Sequence, residues 1–333
     1  MISILKLRKK TSVKRDFPGN IIHNDKKFFT VELNKTLPKV YLFKIRGVTI
    51  INYDLKLLGR LNIFQNQTHF YKFNKRQRIK NIVRGYFTFF PKIKIRETKE
   101  GIWICDDGSL NYFHWITDCL TRLIFAKNNT EINKVILPKS FKNIDYVIDS
   151  LKTLNFIPVF YEPNEKFIVK ELYLPTKTAP TGNYSEDLIS LKKALLSESL
   201  KTTDFIYEKI YISRKFSKIR SLSNEEEVSN HLKENGYKVL FTEELSLYEQ
   251  IEIFQNCKTL ISLHGAGLTN QLFMPINSKV IEIRLEDQQK NNAYFSMSNI
   301  LNLDYFYVNA IKDSTKNGLN LYKADIKQIE TLI

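Results

Sequence analysis

From Lys209 onward the chain alternates short apolar runs with helix-length segments, and few folds accept that order. Lys209-Ile-Tyr-Ile-Ser, Tyr237-Lys-Val-Leu-Phe, Thr259-Leu-Ile-Ser-Leu and Lys279-Val-Ile-Glu-Ile read as strands, with helices predicted after Ser223, after Ser246 and, shortly, after Gly267. Strands that are apolar throughout must be covered on both faces, so the order predicts a doubly wound parallel sheet with crossover helices. Two helix starts carry the capping-box pattern, Ser223 with Glu226 and Ser246 with Glu249, and Gly236 closes the first of these helices.

The same texture begins earlier, at Gly101. Ile102-Trp-Ile-Cys, Val135-Ile-Leu and Ile157-Pro-Val-Phe-Tyr read as strands, and helices are predicted from about Ser109 and near 142 to 153. A polar stretch from Pro175 to Tyr184 leads to a helix at 186 to 200, and Lys201-Thr-Thr-Asp reads as the exit to a second domain. With 333 residues to divide, the prediction is two α/β domains, 1–203 and 204–333. Residues 1 to 100 instead show short β-rich runs such as Lys39-Val-Tyr-Leu-Phe-Lys and Val48-Thr-Ile-Ile-Asn-Tyr, without a long helical period.

Charge separates the two ends of the chain. Residues 1 to 100 hold 24 Lys/Arg against 6 Asp/Glu, while the rest hold 27 against 29, so the net charge of +16 is an N-terminal property. Such a surface either attracts an anionic partner (nucleic acid, acidic lipid headgroups or a charged glycan) or only solvates the protein. No apolar run reaches the roughly 18 residues needed to cross a bilayer, and the opening residues do not read as a secretory signal. Cys105, Cys119 and Cys257 are far apart and beside apolar residues, which predicts buried, reduced thiols rather than disulfides or a zinc site.

Thr259-Leu-Ile-Ser-Leu-His264-Gly-Ala-Gly-Leu-Thr-Asn270 runs an apolar strand directly into a glycine-spaced turn and a short helix. Gly265 and Gly267 allow positive φ and remove bulk, so amides at the helix start can approach a diphosphate. The spacing does not fit a dinucleotide fingerprint, because Asn270 stands where the third glycine would be. The alternative is that Gly-Ala-Gly serves tight helix packing and His264 is a satisfied buried histidine.

Asn111-Tyr-Phe-His114-Trp-Ile-Thr-Asp118-Cys-Leu-Thr-Arg122 reads as a helix whose polar positions 111, 114, 118 and 122 share one face, while Phe113, Trp115, Ile116, Leu120, Leu123 and Ile124 are buried. A histidine one turn from an aspartate can take a proton from a sugar hydroxyl while the carboxylate orients the ring. Asp118 as the base itself, or a surface ion pair with no catalytic part, are the alternatives. Asp106-Asp107, followed by Gly108 and Ser109, reads as a turn rather than a metal-binding pair.

Ile210-Tyr-Ile-Ser213-Arg214-Lys215, with Arg220 shortly after, places cations at a strand end, either to fork phosphate oxygens or to be solvated. Glu282, in Val280-Ile-Glu-Ile, is a candidate acceptor for ribose hydroxyls or an edge carboxylate.

Three blocks in order, Asn111 to Asp118, Tyr211-Ile-Ser-Arg214 through Asn224-Glu225, and Glu243-Glu-Leu-Ser through His264-Gly-Ala-Gly-Leu-Thr-Asn270, resemble glycosyltransferase family 61, formerly a domain of unknown function. The resemblance spans roughly residues 100 to 285. It implies an α/β chain of GT-B type, two Rossmann-like doubly wound domains facing across a cleft, and a metal-independent transfer that inverts the anomeric carbon. Carried onto this chain, Arg214, His264, Gly265, Gly267 and Glu282 line the donor side, with Lys215, Arg220, Ala266 and Asn270 beside them. Asn111, His114 and Asp118 face them from the N-terminal domain.

The expected partners are a nucleotide-sugar donor and a glycan or lipid-linked glycan acceptor, with no further cofactor, no metal and no specific nucleic acid. The shorter form without an anchor helix resembles bacterial members of capsule or surface-polysaccharide assembly. That implies a cytoplasmic protein, with the basic region suited to the inner face of a membrane. The rival expectation is a nucleic-acid-binding protein using stretches such as Phe70-Tyr-Lys-Phe-Asn-Lys-Arg-Gln-Arg, and a third is a catalytically inert scaffold on the transferase fold.

Overall fold

The computed structural model describes residues 2–51, 54–56, 94–106, 108–162, 165–197, 206–316 and 318–333. The chain falls into two compact units, 1–11 with 38–181, and 12–37 with 182–333. Their divide comes at Thr181 and Gly182, ahead of the expected boundary near 203, and the residues proposed as the domain exit lie outside the described ones. Residues 12–37, expected in the N-terminal domain, belong to the second unit.

In the first unit four parallel strands, Ile95–Ile102, Lys134–Pro138, Ile157–Tyr161 and Lys166–Pro175, carry the sheet. Counted along the chain, they lie in the order 3-2-1-4, that of the first four strands of a six-stranded dinucleotide-binding sheet. Val40–Ile51 and then Ile2–Arg8 extend the sheet antiparallel beyond Lys166–Pro175. The two β-rich runs seen in the sequence near 39 and 48 are thus one twelve-residue strand, and Gly47 within it takes φ 68°. Helices return between the parallel strands, Tyr112–His114 through Thr121–Lys127 after the first and Asp145–Thr153 after the second.

In the second unit five parallel strands lie in the order 2-1-3-4-5: Lys238–Leu240, Lys209–Ile212, Thr259–Leu263, Lys279–Leu285 and Asp304–Lys316. Leu319–Ala324 pairs antiparallel with the last, and Arg220–Leu222 closes that edge. Side chains alternate across the sheet. One face packs Tyr211, Ile261, Ile281, Ile283 and Val308 with Val228 and Leu232 of the Glu225–Glu234 helix. The other face carries Ile212, Ser262, Glu282 and Arg284, all buried.

Residues 12–37 help close the second unit. The Lys26–Leu33 helix, which the sequence reading of this region did not anticipate, buries Phe29 completely. Its ring meets Phe295 at 5.0 Å and Tyr307 at 5.4 Å, and the Arg284 guanidinium lies over it at 4.8 Å. Asn20 binds the backbone of Tyr307 through both ends of its amide, and the Tyr307 hydroxyl donates to Asp25.

Helix ends follow local chemistry. Ser246 and Glu249 form the expected capping box. Ser223 and Glu226 do not: Asn224 is the N-cap of Glu225–Glu234, and the Ser223 hydroxyl donates to the Tyr322 carbonyl instead. Gly236 ends that helix at φ 81°, with its own amide bonded to the Lys233 carbonyl and that of Tyr237 to Leu232, a Schellman closure.

Candidate active site

A doubly wound sheet opens a crevice at its carboxyl edge where neighbouring strands send their connections in opposite directions. Each unit has one such point, and each carries a polar cluster built from residues at those strand ends.

In the first unit the point lies between the ends of Ile95–Ile102 and Lys166–Pro175. The first strand leads to Asp106 and the second to Lys177, whose ammonium is 3.4 Å from the Asp106 carboxylate and 3.5 Å from that of Asp118. The helix carrying His114 and Asp118 starts at Tyr112, later than the expected Ser109. Asn111 is exposed and caps it, its Oδ1 accepting from the Phe113 amide at 3.0 Å. Ser109 sits in the preceding turn and donates to Asp106. Asp106 is therefore a turn residue, as expected, and Asp107 lies outside the described residues.

After His114 the helix widens into a π turn, Trp115–Leu120, before resuming at Thr121–Lys127. The widened turn breaks the simple four-position stripe. Arg122, expected on the polar face, is fully buried and lies 3.5 Å from Asp106. His114 and Asp118 remain paired, Nδ1 to Oδ2 at 2.9 Å. The imidazole is only 17 % exposed and rests against Gly108, where a Cβ would stand 3.1 Å from the ring.

The Asp118 carboxylate also accepts from the Thr181 hydroxyl at 3.0 Å. Burial alone would raise its pKa, but His114, Lys177 and Thr181 outweigh that and hold it below the usual carboxylate value. An ionised carboxylate held by three donors is a poor base and a good orienter of the imidazole. Lys177, absent from the residues expected at the site, is the cation that completes this arrangement. Its only mark in the sequence was its place in the polar Pro175 to Tyr184 stretch.

Because the folded-state pKa of Asp118 is depressed, its stabilisation is complete above the unfolded value of about 3.9 and is lost as pH falls through the lower folded value. Lys177→Met should move the acid-unfolding midpoint, followed by circular dichroism, to higher pH and remove about 3 kcal/mol at pH 7 in urea titrations. An unchanged acid midpoint would show that Lys177 does not hold Asp118 ionised.

In the second unit the connections leave in opposite directions between the parallel strands Lys209–Ile212 and Thr259–Leu263. The first strand leads to Arg214 and the second to Gly265, and the two residues touch. Gly265 has extended backbone, φ 172°, and neither it nor Gly267 takes the positive φ that the sequence suggested. What glycine at 265 admits is the Arg214 guanidinium, which occupies the space of a Cβ and would have to shift for one. A Cβ on Gly267 would stand 3.0 Å from Ile212 and 3.3 Å from Thr242.

Arg214 is held by its own loop, donating to the Ser217 hydroxyl at 2.8 Å and the Arg220 carbonyl at 3.4 Å. Burial, and secondarily the nearby Arg220, lower its pKa. Among the described residues no carboxylate forms an ion pair with it. Lys215 is exposed, and Arg220 donates to Gln288 at 3.2 Å. The 3-10 helix Ala266–Phe273 begins at the glycine turn, with the amides of its first turn pointing out of the helix end. Ala266 and Gly267 are half-buried there.

Three other residues expected on the donor side are used within the unit. His264 is 6 % exposed, with Nδ1 bonded to the Glu282 carboxylate and Nε2 facing the Asn291 amide at 3.0 Å, which is the satisfied buried histidine. Glu282 is fully buried on an inner strand, neither an edge carboxylate nor open to a ribose. Its second oxygen accepts from Tyr305 at 2.6 Å, and Tyr305 accepts from Arg284 at 3.1 Å. Burial would raise the Glu282 pKa, yet His264, Arg284 and Tyr305 keep it lowered. Asn270 is fully buried and donates to Gln250 at 2.7 Å, tying the 3-10 helix to Leu247–Phe254. These three fix the glycine turn from beneath.

Cys105, Cys119 and Cys257 are buried and unpaired, and burial pushes all three thiols up in pKa. Among the described residues no group of three or more His, Cys, Asp or Glu side chains is placed to hold a metal ion. Among them also, no helix is long and apolar enough to cross a membrane. The basic, aromatic stretch from Phe70 to Arg78 lies outside the described residues, and nothing supports the nucleic-acid alternative.

The family described as glycosyltransferase 61 matches residues 112–281, just over half of the 333. The match begins in the helix of His114 and ends in the strand of Glu282. No curated protein matches the chain.

Proposed function

Because the chain belongs to glycosyltransferase family 61 and is a glycosyltransferase, we propose that it moves a sugar from a nucleotide-sugar donor to a glycan or lipid-linked glycan with inversion and without a metal. In this reading the diphosphate of the donor binds at Arg214 and the Ala266 and Gly267 amides, and the acceptor hydroxyl gives its proton to His114. Nδ1 of His114 faces Asp118, so the base atom is Nε2. The hydroxyl oxygen forms the new bond to the anomeric carbon as the bond to the phosphate oxygen breaks, and the nucleoside diphosphate leaves with the electron pair. Negative charge grows on that oxygen, where a guanidinium and helix-start amides stabilise it.

The observation that carries the reading is Arg214. A half-buried guanidinium with no carboxylate pair among the described residues, lying on a glycine at the strand-end crevice, is costly unless an anion joins it. Two-domain GT-B architecture, a place in capsule or surface-polysaccharide synthesis, and work at the cytoplasmic face of a membrane belong to the same proposal. They rest on the resemblance and on the basic N-terminal hundred residues.

A thermal-shift screen of nucleotides and nucleotide sugars tests it, because a ligand of the folded state raises Tm with the logarithm of saturation. One nucleoside diphosphate and its sugar conjugate should raise Tm without added metal, and the reaction should release that diphosphate with inverted anomeric configuration. A screen in which no nucleotide shifts Tm, with or without metal, would defeat the donor assignment.

A further inference from the structure

Two residues beyond Arg214, on the same loop, Phe216 leaves 58 % of itself in solvent, and Ile219 leaves 65 %. Phe216 is not loose on the surface. Its ring packs at 4.9 Å and 45° against Phe241, the residue that follows the neighbouring parallel strand Lys238–Leu240. Phe241 is half-buried, so one ring anchors the other and leaves the outer ring presented to water in a fixed position.

The aromatic pair belongs to the same carboxyl edge as the Arg214 crevice, one strand nearer the edge of the sheet. Lys209–Ile212 leads to Arg214 and Phe216, and Lys238–Leu240 leads to Phe241 and Thr242. Thr242 comes within 3.3 Å of the space above Gly267. The glycine turn, the guanidinium and the aromatic pair are therefore consecutive along the strand ends. An anchored phosphate with a held aromatic ring beside it matches the chemistry of a nucleotide: charge at one end and a flat π face at the other.

From this placement we infer that Phe216, backed by Phe241, is the platform on which the donor's nucleobase stacks. The inference rests on the diphosphate reading of Arg214 and adds to it the direction in which the nucleoside lies, toward the Lys238–Leu240 edge. Stacking on a single ring tolerates any base, so Phe216 supplies affinity for nucleosides as a class rather than choice among them.

Calorimetric titration of the full chain with UDP, GDP, CDP, ADP and inorganic pyrophosphate tests the inference, using wild type, Phe216→Ala, Phe216→Leu and Phe216→Trp. Phe216→Ala should weaken the preferred nucleoside diphosphate roughly tenfold and leave pyrophosphate within about twofold. Leucine should not restore the loss, and tryptophan should. Equal losses for nucleotide and pyrophosphate, or no loss for either, would overturn the platform while leaving the diphosphate site standing. So would a raised KM for the acceptor with unchanged nucleotide affinity, which would give the ring to the acceptor sugar. Wild type that binds none of the five probes would bring down the diphosphate reading itself, and the platform with it.

Discussion

Replacing His114 by alanine is expected to lower turnover about a thousandfold while nucleotide affinity stays within about twofold of wild type. General-base catalysis contributes on the order of 10²–10⁴ in rate, and the donor contacts proposed here come from the other unit. The variant should fold, because Asp118 keeps Lys177 and Thr181 as partners when the imidazole is gone. Added imidazole should restore part of the activity, since the space over Gly108 would be vacated. Asp118→Asn separates the two candidate bases. If the carboxylate only orients the ring, that variant should lose roughly ten- to a hundredfold. A loss as deep as that of His114→Ala, without imidazole rescue of the latter, would make Asp118 the base.

Arg214→Met should weaken nucleoside diphosphate binding about a hundredfold, yet leave the ligand-free protein as stable as wild type or slightly more so. Those two effects have one origin. A guanidinium kept from water without an ion pair lowers stability until an anion arrives, and methionine keeps the stem's packing while removing the charge. Gly265→Ala should act on the same interaction, because its methyl group would occupy the place of the guanidinium. In the Arg214→Met background the added methyl should then cost little further affinity. A full additional loss in the double variant would mean that Gly265 serves ligand approach directly. A marked fall in ligand-free stability of Arg214→Met would show that its bonds to Ser217 and the Arg220 carbonyl outweigh the cost of the buried charge.

The alternation of strands and helices was legible because covered strands and returning helices leave a periodic apolar record. The His114 and Asp118 pair was legible too, as residues four apart on a helix meet whether or not the turn is widened. What a linear pattern does not display is which strands lie side by side. Glu282 reads as a ribose acceptor or an edge carboxylate because nothing in Val280-Ile-Glu-Ile says that its strand lies inside the sheet. Gly265 reads as a residue of special backbone, whereas the space it leaves is filled by Arg214, some fifty residues earlier in the chain. Lys177 escaped for the same reason: its link to Asp106 and Asp118 exists only once the 166–175 strand lies beside the 95–102 strand. The capping box at Ser223 failed because the helix starts one residue later, at an N-cap, Asn224, whose side chain makes no cap bond and instead binds both sides of Ala324 through its amide.

The placement of residues 12–37 in the second unit has a consequence for how the molecule is made. These residues are translated well over two hundred residues ahead of Phe295, Tyr305 and Tyr307, against which Phe29 packs. At roughly 5–20 residues per second the early segment waits on the order of tens of seconds, its aromatic side chains without their cover. The second unit therefore completes itself only after translation of its final strands, and a gene fragment beginning at residue 182 encodes a sheet whose Arg284 face lacks its aromatic lid.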